Sequence, residues 1–172
     1  MNELIEKCQK QLSEGYYEGA LETSEERLAQ ELKDGLAWRM NGLALQGLGQ
    51  IDKAEESFKN AVRYGKADPE NHHSYAVLLF NAKRFEEALI LFEAAAVLEN
   101  SPKRLFMVAI TDLMLSRQLD AVLAIREAMA IDKEKVLEIA ESFSENYFRD
   151  STVSERDKQA LKAQLNRIMK SA

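Results

Sequence analysis

Residues 49–61 read GQIDKAEESFKNA and residues 83–95 read KRFEEALILFEAA, the same spacing written twice. An apolar side chain stands three positions before an alanine, an aromatic four after it, and a second alanine three further on. The first set is Ile51, Ala54, Phe58 and Ala61; the second, 34 residues later, is Phe85, Ala88, Phe92 and Ala95. Steps of three and four put each set on one face of a helix. A face built from small and aromatic residues suits close approach by another helix, so its recurrence predicts recurring helix pairs.

Stepping back by 34 from Ala54 reaches Ala20, with Gly15 and Tyr17 in register with Gly49 and Ile51. Stepping forward by 33 from Ala88 reaches Ala121, with Ile125 and Ala128 in the aromatic and second-alanine slots. Four copies therefore cover residues 1–132, at about 1–34, 35–68, 69–101 and 102–132. Each reads as two helices joined by a short turn. The upstream helix of the second copy, LAWRMNGLALQGLG, spaces Trp38, Gly42 and Leu45 at about one turn. That of the third, PENHHSYAVLLFNAK, has Pro69 suited to a first helical turn, His72 in the tryptophan slot and Ala76 in place of Gly42. A glycine inside a helix costs about 1 kcal/mol relative to alanine, which points to a packing reason for Gly42. Gly42 or Ala76, with Ala54 or Ala88, permits close helix approach, and Phe58 and Phe92 fill the gap. The first copy departs, with Ser24 and Arg27 in the aromatic and alanine slots. The fourth is one residue short, a deletion placed here in its turn.

Residues 133–172 carry no clear repeat. Val136, Ile139, Ala140 and Phe143 have helical spacing. A Ser154/Asp157 pair resembles a helix N-cap ahead of Leu161, Leu165 and Ile168. The expected role is a helix pair that caps the apolar end of the array; a partner-binding tail is the alternative.

Composition narrows the function. The chain has 172 residues, 46% hydrophobic and 30% charged, with two prolines and seven glycines, a profile that favours helix. A net charge of −6 argues against binding that depends on phosphate neutralisation. Residues 1–34 hold nine carboxylates against four Lys/Arg, a net of −5 that reads as a solvated face. Cys8 is the only cysteine and falls on an apolar helix face, so neither an internal disulfide nor a cysteine-based zinc cluster is expected. No segment approaches a membrane span and the opening residues lack a signal-peptide pattern, so a cytoplasmic location is the expectation.

Catalytic motifs are missing. Gly42, Gly47 and Gly49 do not make a phosphate loop, because Leu48 stands where lysine is needed and the context is helical. His72 and His73 are the only histidines, and as helix neighbours they point in different directions, poorly placed to share a metal. Glu55/Glu56 and Glu86/Glu87 sit at matching repeat positions, as a solvated outer face would place them. Neither enzyme activity, a cofactor nor a metal is expected.

A 34-residue helix–turn–helix carrying Trp38, Gly42, Gly49, Ala54, Phe58 and Ala61 in these slots resembles the tetratricopeptide repeat. The resemblance implies an all-α, right-handed superhelical solenoid of about four repeats and ten helices with a C-terminal capping pair. It also implies a concave groove lined by first helices. By register, the groove candidates are Arg39, Met40 and Leu43 from the second copy, His73, Ser74, Val77, Phe80 and Asn81 from the third, and Lys103, Met107 and Met114 from the fourth. Leu36, Gln46, Glu70, Phe106 and Ile110 stand beside them. One groove of the family grips an acidic C-terminal carboxylate of heat-shock chaperones with Lys, Asn and Arg. Here Arg39 and Lys103 match, but Leu43, Ser74 and Met107 replace the other three. The Met- and Leu-rich lining implies a non-enzymatic adaptor holding an apolar or amphipathic protein segment; neither nucleic-acid binding nor membrane insertion is expected. Two alternatives stay open: a chaperone similar to those of type III secretion, and a structural subunit that self-associates through terminal helices. The oligomeric state is left open.

Overall fold

The computed structural model describes residues 2–149 and 154–171, and every regular element among them is an α-helix. In chain order these are α1 (Asn2–Ser13), α2 (Tyr17–Gln30), α3 (Gly35–Gly47), α4 (Ile51–Tyr64), α5 (Pro69–Asn81), α6 (Phe85–Leu98), α7 (Pro102–Met114), α8 (Gln118–Arg149) and α9 (Glu155–Ser171). The α8 element is broken at Asp132, whose φ of −157° and ψ of 100° are not helical. The Asp132 carboxylate accepts from the Lys135 amide at 2.9 Å, the geometry of an N-cap. Asp34 and Asp68 cap α3 and α5 in the same way, through the amides of Ala37 and Glu70. Counting the arms of α8 separately, the described residues hold the expected ten helical segments. Both prolines fall at first turns, of α5 and α7, where their missing N–H costs nothing.

One residue in the turn inside each of the four helix pairs has positive φ: Gly15 (74°), Gly49 (73°), Lys83 (60°) and Ser116 (61°). Their spacings of 34, 34 and 33 reproduce the repeat in the backbone itself. At Gly49 the turn closes as a paired C-cap: Gly49 N–H donates to Gln46 O at 3.0 Å and Gln50 N–H to Leu45 O at 2.9 Å. Gly15/Tyr16 and Ser116/Arg117 make the same two bonds. The one-residue shortening is not in the fourth turn, as the sequence spacing suggested. It precedes α7, where the loop 99–101 has three residues against four at 31–34 and 65–68. The spacing misled because the first helix of the fourth copy fits apolar periodicity in either register.

The chain divides into two compact units, residues 1–82 and 83–172. In the first, Cys8, Ala20, Met40 and Ala44 form one apolar cluster, and Leu45, Ala54, Phe58 and Leu78 form another. Gly42 has the packing role expected of it. A Cβ there would lie 2.8, 2.9 and 3.1 Å from three ring atoms of Phe58, which is fully buried. The departures in the first copy turn out to be matched polar groups. Ser24, 1% exposed, accepts from Asn41 Nδ2 at 3.1 Å, and Ser57 Oγ donates to Asn41 Oδ1 at 2.8 Å, joining α2, α3 and α4. Arg27 Nε lies 2.7 Å from the capping carboxylate of Asp34.

In the second unit, Ala88, Phe92, Ala95, Ala121, Ile125 and Ala128 are buried, each in the slot its spacing assigned. Phe106 packs edge-on to Phe143 at 5.7 Å between ring centres, so the second arm of α8 packs against α7. Val136, Ala140, Leu161, Leu165 and Ile168 are also buried, and Ile139 and Phe143 are half-buried. Helix α9 starts directly after Ser154; the side chain of Asp157, its expected capping partner, lies outside the described residues.

Candidate functional site

A first helix of a repeat packs against neighbours on two sides, leaving a narrow open stripe. On α3 the stripe is Leu36, Arg39, Leu43 and Gln46, all half-buried at steps of three and four. Met40 does not belong to it. At 3% exposed it sits in the cluster with Cys8, Ala20 and Ala44, a core residue instead of a groove contact. His73, Ser74 and Phe80 are buried as well, at 7%, 9% and 8%. Val77, Met107 and Met114 are half-buried, and Asn81 and Lys103 are exposed at their helix ends. The candidates are split between units: Arg39 to Asn81 in residues 1–82, and Lys103, Met107 and Met114 in 83–172. Equal register did not bring equal exposure, because the side chains flanking each slot differ from copy to copy.

Around Leu43 the surface of the first unit is hollow. Leu12 and Ser13 from the end of α1, Tyr17 from α2, and Leu43, Gln46 and Gly47 from α3 line an open depression of about 550 Å³. Gly47 admits the Tyr17 ring, which a Cβ there would overlap. Leu12 and Ser13 were not among the candidates, yet they stand 34 residues before Gln46 and Gly47. Applying the register to the first copy at those slots would have found them. The floor is apolar and the rim carries the hydroxyl of Ser13 and the amide of Gln46. Arg39, one turn before Leu43, has a buried Nε without a hydrogen-bond partner among the described residues.

At the N-terminal ends of α3 and α5 the same fastening appears twice. Trp38 Nε1 donates to Leu32 O at 2.8 Å. His72, in the tryptophan slot, places Nε2 3.0 Å from Lys66 O, and since a carbonyl only accepts, Nε2 carries the proton. His72 thus ties its helix to the preceding loop.

None of the titratable groups with a displaced pKa is among the residues lining the depression. Burial pushes the Cys8 thiol up to about 11, and its Sγ donates to Ala20 O at 3.3 Å. Asp112 of α7, 4% exposed, is pushed up to about 6, chiefly by burial and then by Asp120, with Glu93 adding and Arg117 opposing. Among the described residues, no three His, Cys, Asp or Glu side chains converge as a metal ligand set. No helix among them is long and apolar enough to cross a membrane.

No protein-family model and no curated protein sequence matches the chain. Solved structures do. MamA 41-end from Desulfovibrio magneticus RS-1 superposes with a TM-score of 0.69 at 17% identity, over 97% of this chain and 92% of that one. TTC0263, a thermophilic tetratricopeptide protein of Thermus thermophilus, gives 0.66 at 18% identity, over 82% and 78%. A chain of the Naa15/Naa10 complex bound to HypK-THB gives 0.68 at 20% identity, over 88% of this chain and 25% of that one. The fold is an all-α array of tetratricopeptide-type helix–turn–helix units.

Proposed function

We propose that the protein is a non-enzymatic adaptor that holds an apolar or amphipathic segment of a partner protein against the first helices of its repeats. In this reading residues 1–132 are four repeats and 133–172 cap them. One observation carries the proposal: the open depression whose floor is Leu12, Tyr17 and Leu43 and whose rim is Ser13 and Gln46. Apolar surface left in water gains about 25 cal/mol per Å² when a partner covers it, less the cost of ordering that partner. Support also comes from the fold neighbours, one of which is a tetratricopeptide protein and another part of a multi-protein complex. A carboxylate clamp is the weaker reading, since Leu43, Ser74 and Met107 stand where its polar groups are needed. A secretion-type chaperone would use the same surface on a translocator segment.

Leu43 also packs against the cluster containing Leu45 and Phe58, so a charge there would disturb the fold along with the site. Ser13→Arg with Gln46→Arg blocks the rim and leaves the core intact. Capture from native extract by the wild type and this variant, identified by mass spectrometry, is the test. The expected result is loss of the wild-type partner from the variant at an unchanged melting temperature, with wild-type capture resistant to salt. Retention of that partner by the variant, or its release by salt alone, refutes the proposal.

A further inference from the structure

Trp38 and His72 each tie a ring to the loop entering their helix. Their register counterpart on α7 is Leu105, which has neither ring nor donor. At that place in the second unit lies another open depression of about 550 Å³. Its apolar wall is Ala96 and Val97 of α6 with Leu105 and Val108 of α7. Its polar edge is Glu93, Asn100 and Glu127, with Asn100 Nδ2 donating to Glu127 Oε1 at 3.1 Å. No cationic side chain lines it among the described residues.

The surrounding surface changes character at the same point. Val97 is 86% exposed, and Ile90, two helical turns earlier on the same face, is 65% exposed. Their counterparts on α4, one repeat earlier, are Arg63 and Glu56. Val97 and Ile90 extend the apolar wall of the hollow into an exposed apolar patch where the preceding repeat is charged, and a patch of this kind marks an interaction surface. Two carboxylates beside an apolar hollow select that occupant's charge: an apolar group flanked by cations satisfies both.

We propose that this depression docks a partner segment bearing an aromatic side chain flanked by lysine or arginine. The aromatic ring occupies the space that Trp38 and His72 fill at their own repeats, and the flanking cations pair with Glu93 and Glu127. The surface is built from α6, α7 and the first arm of α8 in residues 83–172. It shares no residue with the first-helix depression at Leu43 and is independent of the function proposed for it.

The probe is a capped, fluorescein-labelled helical peptide with one tryptophan between lysines four residues to either side, titrated against the full chain by fluorescence anisotropy. Saturable binding is expected, weakened more than about tenfold by replacing the peptide tryptophan with alanine or by Val97→Lys. Glu93→Gln with Glu127→Gln should weaken it several-fold and flatten its salt dependence. Leu105→Trp should abolish binding by filling the hollow; should that variant fail to fold, Val97→Lys, at an exposed position, still decides. Ser13→Arg with Gln46→Arg should leave the affinity unchanged. Absence of saturable binding, equal affinity for the alanine peptide or for the Val97→Lys variant, or loss of binding in the Ser13/Gln46 variant overturns the proposal.

Discussion

Gly42 sets two opposite effects against each other, and the structure says which wins. Alanine at an interior helix position is favoured over glycine by about 1 kcal/mol. Here the added Cβ would fall 2.8 Å from the nearest Phe58 ring atom, where about 3.5–4.0 Å is comfortable for carbon. The ring cannot swing into solvent: it is fully buried among Leu45, Ala54 and Leu78, with Tyr75 stacked at 6.5 Å. Overpacking of this kind costs about 1–3 kcal/mol. Gly42→Ala should therefore be destabilising by about 1 kcal/mol net. In a Phe58→Leu background the obstruction is gone, and the same change should become stabilising by up to about 1 kcal/mol. The coupling between the two positions is then about 1–2 kcal/mol, well above additivity error. Urea unfolding followed through Trp38, the single tryptophan and a residue of α3, reads the first unit directly. If Gly42→Ala has the same effect in both backgrounds, Gly42 is not there to admit Phe58 and the packing argument fails.

Other expectations follow from single groups. Asp112 keeps its proton in the folded state between about pH 4 and 6, where an unfolded aspartate of pKa 3.8 has lost it, so stability falls as pH rises through that window. Asp112→Asn should thus be more stable than the wild type at pH 8, by at most about 3 kcal/mol, with the advantage disappearing below pH 4; thermal melts across pH will show it. Cys8, with a thiol pushed up from 9.0 to about 11, should react with a disulfide reagent at pH 8 roughly a hundredfold more slowly in the native protein than in urea. Equal rates would put Cys8 on the surface. Lys83 and Ser116 hold positive φ without being glycine, so Lys83→Gly and Ser116→Gly should each stabilise by up to about 1 kcal/mol in denaturant titrations, whereas Gly49→Ala should destabilise by a comparable amount.

What could be read from the sequence was what the repeat encodes in side-chain size. Ala54, Phe58, Ala88 and Phe92 announce a close helix contact by bulk alone, and each is buried in its assigned slot. Positions that deviate from the pattern were harder. Lys83 and Ser116 take the conformation of Gly15 and Gly49, Ser116 within the same pair of cap hydrogen bonds, and their side chains give no sign of it. Ser24 looked like decay of an aromatic slot, but its partners Asn41 and Ser57 lie 17 and 16 residues along the chain from Ser24 and Asn41 respectively, a relation visible only once three helices are packed. Asp112 occupies the slot of Leu45 and Leu79, and nothing in local composition marks it as buried. The groove assignment failed at Met40 for a related reason. Register fixes which way a residue points, whereas exposure depends on what the neighbouring helix brings to meet it.

An array of similar helix pairs faces a danger that other folds escape: one unit can stack in another's place, because the apolar surfaces of successive copies are nearly interchangeable. The hydrogen-bonded chain from Ser57 through Asn41 to Ser24 removes that ambiguity for α3. One copy further along, the counterparts of Ser24 and Ser57 are Phe58 and Leu91. A slipped arrangement would press the Asn41 amide against hydrocarbon, at about 1–3 kcal/mol for each buried group left unsatisfied. Only the native order offers that amide its two hydroxyls. These three residues thus act as an address label, telling the folding chain which helix pair comes first.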